Sequence, residues 1–419
     1  MNRRQFLRQS TAMSLGAAAS YSLPAHANAQ STDKKFLYIF NDGGWDPFCT
    51  FVPAFGVSGI EMEPDAEPGQ YGNIPVVEHP SRPAFGNFMS RYSSQLCVIN
   101  GMELRSVTHQ RCTQLLMTGK ASSDVDDWPS IMAAKSKQLY PTPHLVIRGP
   151  AYSTQFASHV VRVGMNGQLT RLLEPGLLFG ENPPMLAREL LEDEILKRRL
   201  MNGGRNGKDM ELRNSYLSAI EQFEVNREDY YAINLDGIES GCVRDIRHDA
   251  NNIFKLFSKE LARSAMISYK GVCDLSWDTH ASHDTQQENV EEFYGFLTDI
   301  MEQLEASTNI FGAPLIDDVV VVVISEMGRS PVFNTYGGRD HWTFTSALLM
   351  GAGIKGNQSI GGLDSKAIGR PISLETGEMT DNGVMLLPQH LGATLLALGD
   401  VDYGRHVNQD VHPISAVML

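Results

Sequence analysis

The sequence contains no apolar run of the ~18 residues that a membrane-spanning helix requires, so no stable membrane span is expected. It is short of positive charge, with 35 Lys and Arg against 49 Asp and Glu and a formal net charge of −14. Phosphate backbones are met by basic surfaces, so nucleic acid is excluded as a partner. The five cysteines, Cys49, Cys97, Cys112, Cys242 and Cys273, are an odd number with no Cys-x-x-Cys pair, and their spacing implies no disulfide framework. They read as small buried apolar residues. No Gly-x-Gly-x-x-Gly follows the first apolar run, which argues against a dinucleotide site there. No Gly-x-Ser-x-Gly elbow is present either, which argues against a serine esterase. Internal repeats, low-complexity tracts and domain-scale linkers are also missing.

What is present begins at the N-terminus. Arg3-Arg4-Gln5-Phe6-Leu7-Arg8 precedes a modestly apolar, Ala-rich stretch from Thr11 to Leu23, and Ala27-Asn28-Ala29 offers small residues to a signal peptidase. This is the order of a twin-arginine signal peptide over residues 1–29. The implied partner during export is the twin-arginine translocase, and the implied location is periplasmic or secreted. Residues 30–419 are expected to form a single domain, with irregular insertions near 56–83 and 150–210.

Short apolar runs recur along that domain. Phe36–Phe40, Leu96–Ile99, His144–Ile147, Val272–Trp277, Val319–Ile324 and Ala347–Met350 read as buried strands. Between them lie helical periods: Val290 to Leu304, Ile253 to Leu261, Met210 to Glu224 and Leu391 to Leu398. Gly56 to Pro83 reads as a long irregular excursion, and Asn202 to Lys208 as an exposed loop joining two helices. Strands alternating with helices predict an α/β fold, a doubly wound and mostly parallel sheet with helices on both faces.

Ligands of such sheets bind beyond the carboxyl ends of the strands. Asp42 and Asp46 follow the first expected strand, Thr108 and His109 the second, and Asp278, His280 and His283 the fourth. Glu326 and Arg329 follow the fifth, and Asp340-His341 close the loop beyond it. Carboxylates and imidazoles gathered on one edge suit a divalent metal such as zinc, manganese or calcium, the histidines favouring a transition metal. Taken singly, each cluster is equally the mark of loop ion pairs and helix caps; their recurrence after successive strands is what argues for a site.

Four blocks together resemble the DUF1501 family of secreted bacterial proteins: Asn41-Asp42-Gly43-Gly44-Trp45-Asp46, Trp277-Asp278-Thr279-His280, Ser325-Glu326-Met327-Gly328-Arg329 and Gly338-Arg339-Asp340-His341-Trp342. The resemblance spans about Phe36 to Leu398 and implies an alkaline phosphatase-like core, that family being grouped with the alkaline phosphatases and sulfatases. Thr108 to Lys120 is similar to the sulfatase nucleophile segment, with His109 where sulfatases carry the cysteine that becomes formylglycine. That departure argues against formylglycine chemistry. A phosphohistidine at His109, Thr108 as nucleophile beside a metal, and His109 as a metal ligand all stay open. The resemblance implies metal held by Asp42, Asp278, His280 or His283, Glu326, Asp340 and His341, with Arg329 or Arg339 on a non-bridging oxygen. The function it implies is hydrolysis of phosphate or sulfate esters, on a small anionic ester or a sulfated or phosphorylated glycan. The alternative is a non-catalytic binding or surface-assembly protein on the same scaffold.

Overall fold

The computed structural model describes residues 33–122, 124–163 and 245–419. Its strands are β1 (Lys35–Asn41), β2 (Glu67–Tyr71), β3 (Ile74–Glu78), β4 (Cys97–Glu103), β5 (His144–Ile147), β6 (Val160–Val163), β7 (Ser264–Tyr269), β8 (Val319–Ser325), β9 (Gly328–Arg329), β10 (His341–Trp342), β11 (Phe344–Gly351) and β12 (Gln358–Gly361). The helices are α1 (Pro83–Tyr92), α2 (His109–Thr118), α3 (Trp128–Ala134), α4 (Ile246–Ser258), α5 (Asp284–Ala306) and α6 (Pro388–Leu398).

Eight strands form one sheet in the order β12-β4-β11-β8-β1-β7-β5-β6. All of its pairings are parallel except those of β11, which runs antiparallel to both β4 and β8. The expected doubly wound, mostly parallel α/β sheet is therefore the observed one. β1 and β8 are apolar at nearly every position because both of their faces are covered. Leu37, Ile39, Val319, Val321 and Val323 pack with side chains of α1, α4 and α5. Phe36, Tyr38, Phe40, Val320, Val322 and Ile324 pack on the other side with α2, α3 and α6. The strand period of two thus divides one apolar run between two cores. The long α5 turns Val290, Phe293, Leu297, Ile300 and Leu304 inward at helical spacing. Among the described residues no helix is long and apolar enough to cross a membrane.

Three expectations are corrected. Val272–Trp277 is not a strand: Val272–Asp274 form a 3-10 turn, and Gly271, Cys273, Asp274 and Ser276 all have positive φ, which no strand tolerates. The strand is Ser264–Tyr269, just upstream. The excursion from Gly56 to Pro83 is not wholly irregular, since β2 and β3 pair antiparallel within it. Cys49, Cys97 and Cys112 are free and buried as expected, whereas Cys273 is exposed and disulfide-bonded. The signal segment, Cys242, Asn202–Lys208 and the helix expected from Met210 to Glu224 lie outside the described residues.

Candidate metal centre

The antiparallel strand of the eight-stranded sheet, β11, decides what meets at the carboxyl edge. β1, β4, β7 and β8 deliver there the residues that follow them, and β11 delivers the residues that precede it. His109, the first residue of α2, thus meets Asp278 and His280 from the loop after β7, Glu326 after β8, and His341 before β11.

The three imidazoles are oriented in the same sense. His109 Nδ1 lies 2.7 Å from Glu326 Oε1, His280 Nδ1 3.0 Å from Asp340 Oδ1, and His341 Nδ1 2.7 Å from the Val107 carbonyl. A carbonyl or a carboxylate only accepts, so each Nδ1–H donates and each Nε2 is left facing inward. All three Nε2 atoms turn to one carboxylate. His280 and His341 approach Asp278 Oδ1, each at 3.1 Å, and His109 approaches Oδ2 at 3.3 Å. The Nε2 atoms of His280 and His341 are 2.9 Å apart. In the neutral rings these are lone pairs facing one another and a carboxylate, an arrangement that needs a cation or extra protons between them. Contacts with Asp278 and Glu326 raise His109 to about 9, so in the metal-free protein a proton supplies part of that charge. Partial burial pushes Asp278 up, but His109, His341 and Arg329 outweigh it and hold the carboxyl far below its ordinary range. Hydrogen bonds from Asn334 and His280 lower Asp340.

The donor set fits a divalent transition metal. The ligand atoms of His109, Asp278 and His341 all lie within 4.8 Å of one another, and His280 closes a fourth side. Each histidine's other nitrogen is held by a carboxylate or a carbonyl, the usual outer-shell support of imidazole ligands. Glu326 is fully buried and also accepts from Gly43 N at 2.9 Å.

The remaining sequence candidates sit elsewhere or do other work. The Asp42 side chain turns to Lys270 Nζ at 3.5 Å. Arg329 is buried, donating to the Gly44 carbonyl at 2.8 Å, to that of Trp277 at 3.0 Å, to that of Gly43, and to Asp278 Oδ1 at 2.8 Å. Arg339 is buried too, bonded to the carbonyls of Ser330 and Glu61 and paired with Asp46 at 3.0 Å. Their donors are committed to the protein, so neither guanidinium presents a fork to an ester oxygen. Thr108 is exposed, and its hydroxyl does not cap α2. His283, Asp46 and Cys49 form a second, buried cluster of potential ligands. There His283 Nε2 is 2.8 Å from Glu63, which Arg82 grips through both oxygens, and Arg339 faces Asp46. Burial pushes the Cys49 thiol up. Two guanidinium groups already balance this pocket, which makes it an ion-pair network rather than a cation site. Gly351–Gly356 has the Gly-x-Gly-x-x-Gly spacing, but it leaves β11 at the opposite edge and leads to β12 rather than a helix.

Sequence reading missed Glu63, Lys270 and the Val107 carbonyl. Lys270 directly follows β7, but that strand was not read in the sequence, so the positional rule did not reach it. Glu63 had no usable signal, because its partner His283 lies 220 positions away.

Gly43 holds the loops together. Its φ is +127°, and a Cβ would come 2.3 Å from Ser276 Oγ and 2.6 Å from Asp278 N. Gly43→Ala is expected to cost roughly 1–3 kcal/mol of stability and to displace Asp278. The check is a lower denaturant midpoint together with weaker zinc binding; an unchanged midpoint would show that the loop yields freely.

The model of the family described as "Protein of unknown function (DUF1501)" matches residues 243–385. No curated protein matches the sequence. Among solved structures the chain is similar to Ps i-CgsB in complex with k-i-k-neocarrahexaose, at 11% identity and TM-score 0.42, over 92% of this chain and 75% of that one. It is similar to a protein in the alkaline phosphatase superfamily from Vibrio parahaemolyticus, at 11% identity and TM-score 0.40, over 89% and 68%. It is also similar to the lipooligosaccharide phosphoethanolamine transferase EptA from Neisseria meningitidis, at 11% identity and TM-score 0.39, over 92% and 58%.

Proposed function

We propose that this chain, matched over residues 243–385 by the DUF1501 model, is an exported, metal-dependent hydrolase of phosphate or sulfate esters. The observation that carries the reading is the convergence of His109, His280 and His341 on Asp278 through their Nε2 atoms. Three imidazoles and one carboxylate suit zinc far better than calcium, which takes six or more oxygens. A bound divalent cation supplies Lewis acidity and a water that ionises near neutral pH. The chain's own residues supply placement. Glu326, Asp340 and the Val107 carbonyl fix the three rings, and Arg329 fixes Asp278. Thr108, one residue before His109, offers an exposed hydroxyl, whereas Thr279 and Ser325 beside the other residues of the centre are buried.

The ester class rests on the likeness of Thr108–Lys120 to the sulfatase nucleophile segment. Export rests on Arg3-Arg4 and the residues after them. One observation favours the non-catalytic alternative: His109 stands at the nucleophile position of that segment, yet Glu326 holds its Nδ1 and its Nε2 faces the Asp278 carboxylate at 3.3 Å.

The test is metal analysis of the full exported chain, followed by a panel of phosphate and sulfate esters. About one zinc-class ion per chain is expected, with turnover that chelation abolishes and zinc restores. A chain that takes up no metal sinks the reading. Metal without turnover on any ester moves it to the binding protein.

A further inference from the structure

We propose that Lys270, parked against Asp42, is the anion subsite of this centre and takes the tetrahedral phosphate or sulfate group of an ester. The proposal rests on the reading of the centre given above. β1 lies between β7 and β8 in register, with Asn41 opposite Tyr269 on one side and Ser325 on the other. The residues that follow, Lys270, Asp42 and Glu326, therefore make a row across the carboxyl edge at strand spacings of about 4.8 Å. At one end of the row Glu326 holds His109. At the other end Lys270 Nζ reaches Asp42 Oδ2 at 3.5 Å, an ion pair too long for a tight hydrogen bond. The two side chains stay 47% and 41% exposed.

The link from this pair to the centre is short. Ser276 Oγ accepts from Asp278 N at 3.1 Å and donates to the Asp42 carbonyl at 3.3 Å. Ser276 N in turn donates to the Lys270 carbonyl at 2.5 Å. Lys270 thus stands at the root of the loop that carries Asp278 and His280.

Charge argues for the assignment. In a chain of net charge −14, an anion approaching this edge meets Asp42, Asp278 and Asp340. Besides the centre itself, a cationic side chain at the edge would draw it in. Arg329 and Arg339 are buried with their donors committed to protein atoms. Lys270 keeps a half-exposed ammonium whose contact with Asp42 is loose. Three donors on a flexible four-carbon stem can swing from a carboxylate to an incoming oxyanion. Asp42 then holds the lysine at the edge until the anion arrives.

The test is calorimetric titration of the full chain, metal-free and zinc-loaded, with inorganic phosphate and separately with inorganic sulfate. Lys270→Gln is expected to weaken anion binding by at least about tenfold at unchanged zinc stoichiometry, and Lys270→Arg to keep most of it. Asp42→Asn is expected to tighten binding, because it removes the competitor for the ammonium. General loosening of the edge would not give changes of opposite sign. If Lys270→Gln binds both anions as tightly as the parent chain, or if the parent binds neither, the proposal is overturned. A loss confined to one anion identifies the ester group that the subsite takes. Failure of the metal reading shows separately as absent zinc, and the metal-free titrations still judge Lys270.

Discussion

Asp278→Ala is expected to empty the centre, with zinc affinity falling by more than the roughly 100-fold that marks the upper end for losing an outer-shell partner. Asp278 is the one carboxylate that all three Nε2 atoms face, so its removal leaves three imidazoles without the charge that draws a divalent ion among them. The fold should survive. Arg329 loses one acceptor but keeps the carbonyls of Gly43, Gly44 and Trp277. Asp340→Asn is the contrasting variant. Asp340 only orients His280 from outside and is itself exposed, and the amide oxygen can still accept from Nδ1. Its effect should fall at or below roughly tenfold, the lower end for outer-shell partners. Competition against a coloured zinc chelator orders the two variants. Equal affinities for Asp278→Ala and the parent chain would mean that the cation, if bound, sits elsewhere.

That His109, Asp278, His280, Glu326 and His341 meet at one edge was legible in the sequence, because each was read as standing beyond an apolar run. Glu326 directly follows β8, whereas Asp278 and His280 lie on the loop after β7 and His341 lies just before β11, so the positional rule held for the edge and not for each strand. Where the rule failed, the reasons are local. Ser264–Tyr269 and Val272–Trp277 each carry one β-branched and one aromatic residue, so composition does not separate them. Backbone conformation does, because positive φ at Gly271, Cys273, Asp274 and Ser276 makes the second segment a loop. Arg329 or Arg339 was placed on a non-bridging oxygen by what the resemblance implies. Each is instead surrounded by carbonyl oxygens contributed by distant segments, which no local pattern discloses. Helices α1 to α3 lacked the long apolar period of α5, and their ends are set by tertiary contacts such as Trp128 against the Leu116 carbonyl.

Glu63→Ala is expected to cost about 3–5 kcal/mol, the usual consequence of leaving one member of a buried ion pair alone. Arg82 holds both oxygens of Glu63 at 2.8 and 2.5 Å, and the two side chains are 0% and 1% exposed. Without Glu63 the buried guanidinium has no carboxylate in bonding contact, and His283 Nε2 loses its carboxylate partner, keeping only the Cys49 thiol at 3.6 Å. His283 is the N-cap residue of α5 and lies three residues after His280, so the damage reaches the metal centre through the start of that helix. Weaker zinc binding should accompany the fall in denaturant midpoint. The same carboxyl predicts an acid dependence. Burial opposes its ionisation, yet hydrogen bonds from His283 and Arg82 bring Glu63 down from 4.5 to about 2. Because the folded value is depressed, the stabilisation is complete above about pH 4.5 and drains away as the pH falls toward 2. Glu63→Gln removes the titration and should therefore flatten this part of the stability profile relative to the parent chain. Equal slopes for the two between pH 5 and pH 2.5 would mean that Glu63 is not the group whose charge ties the excursion from Gly56 to Pro83 to the rest of the fold.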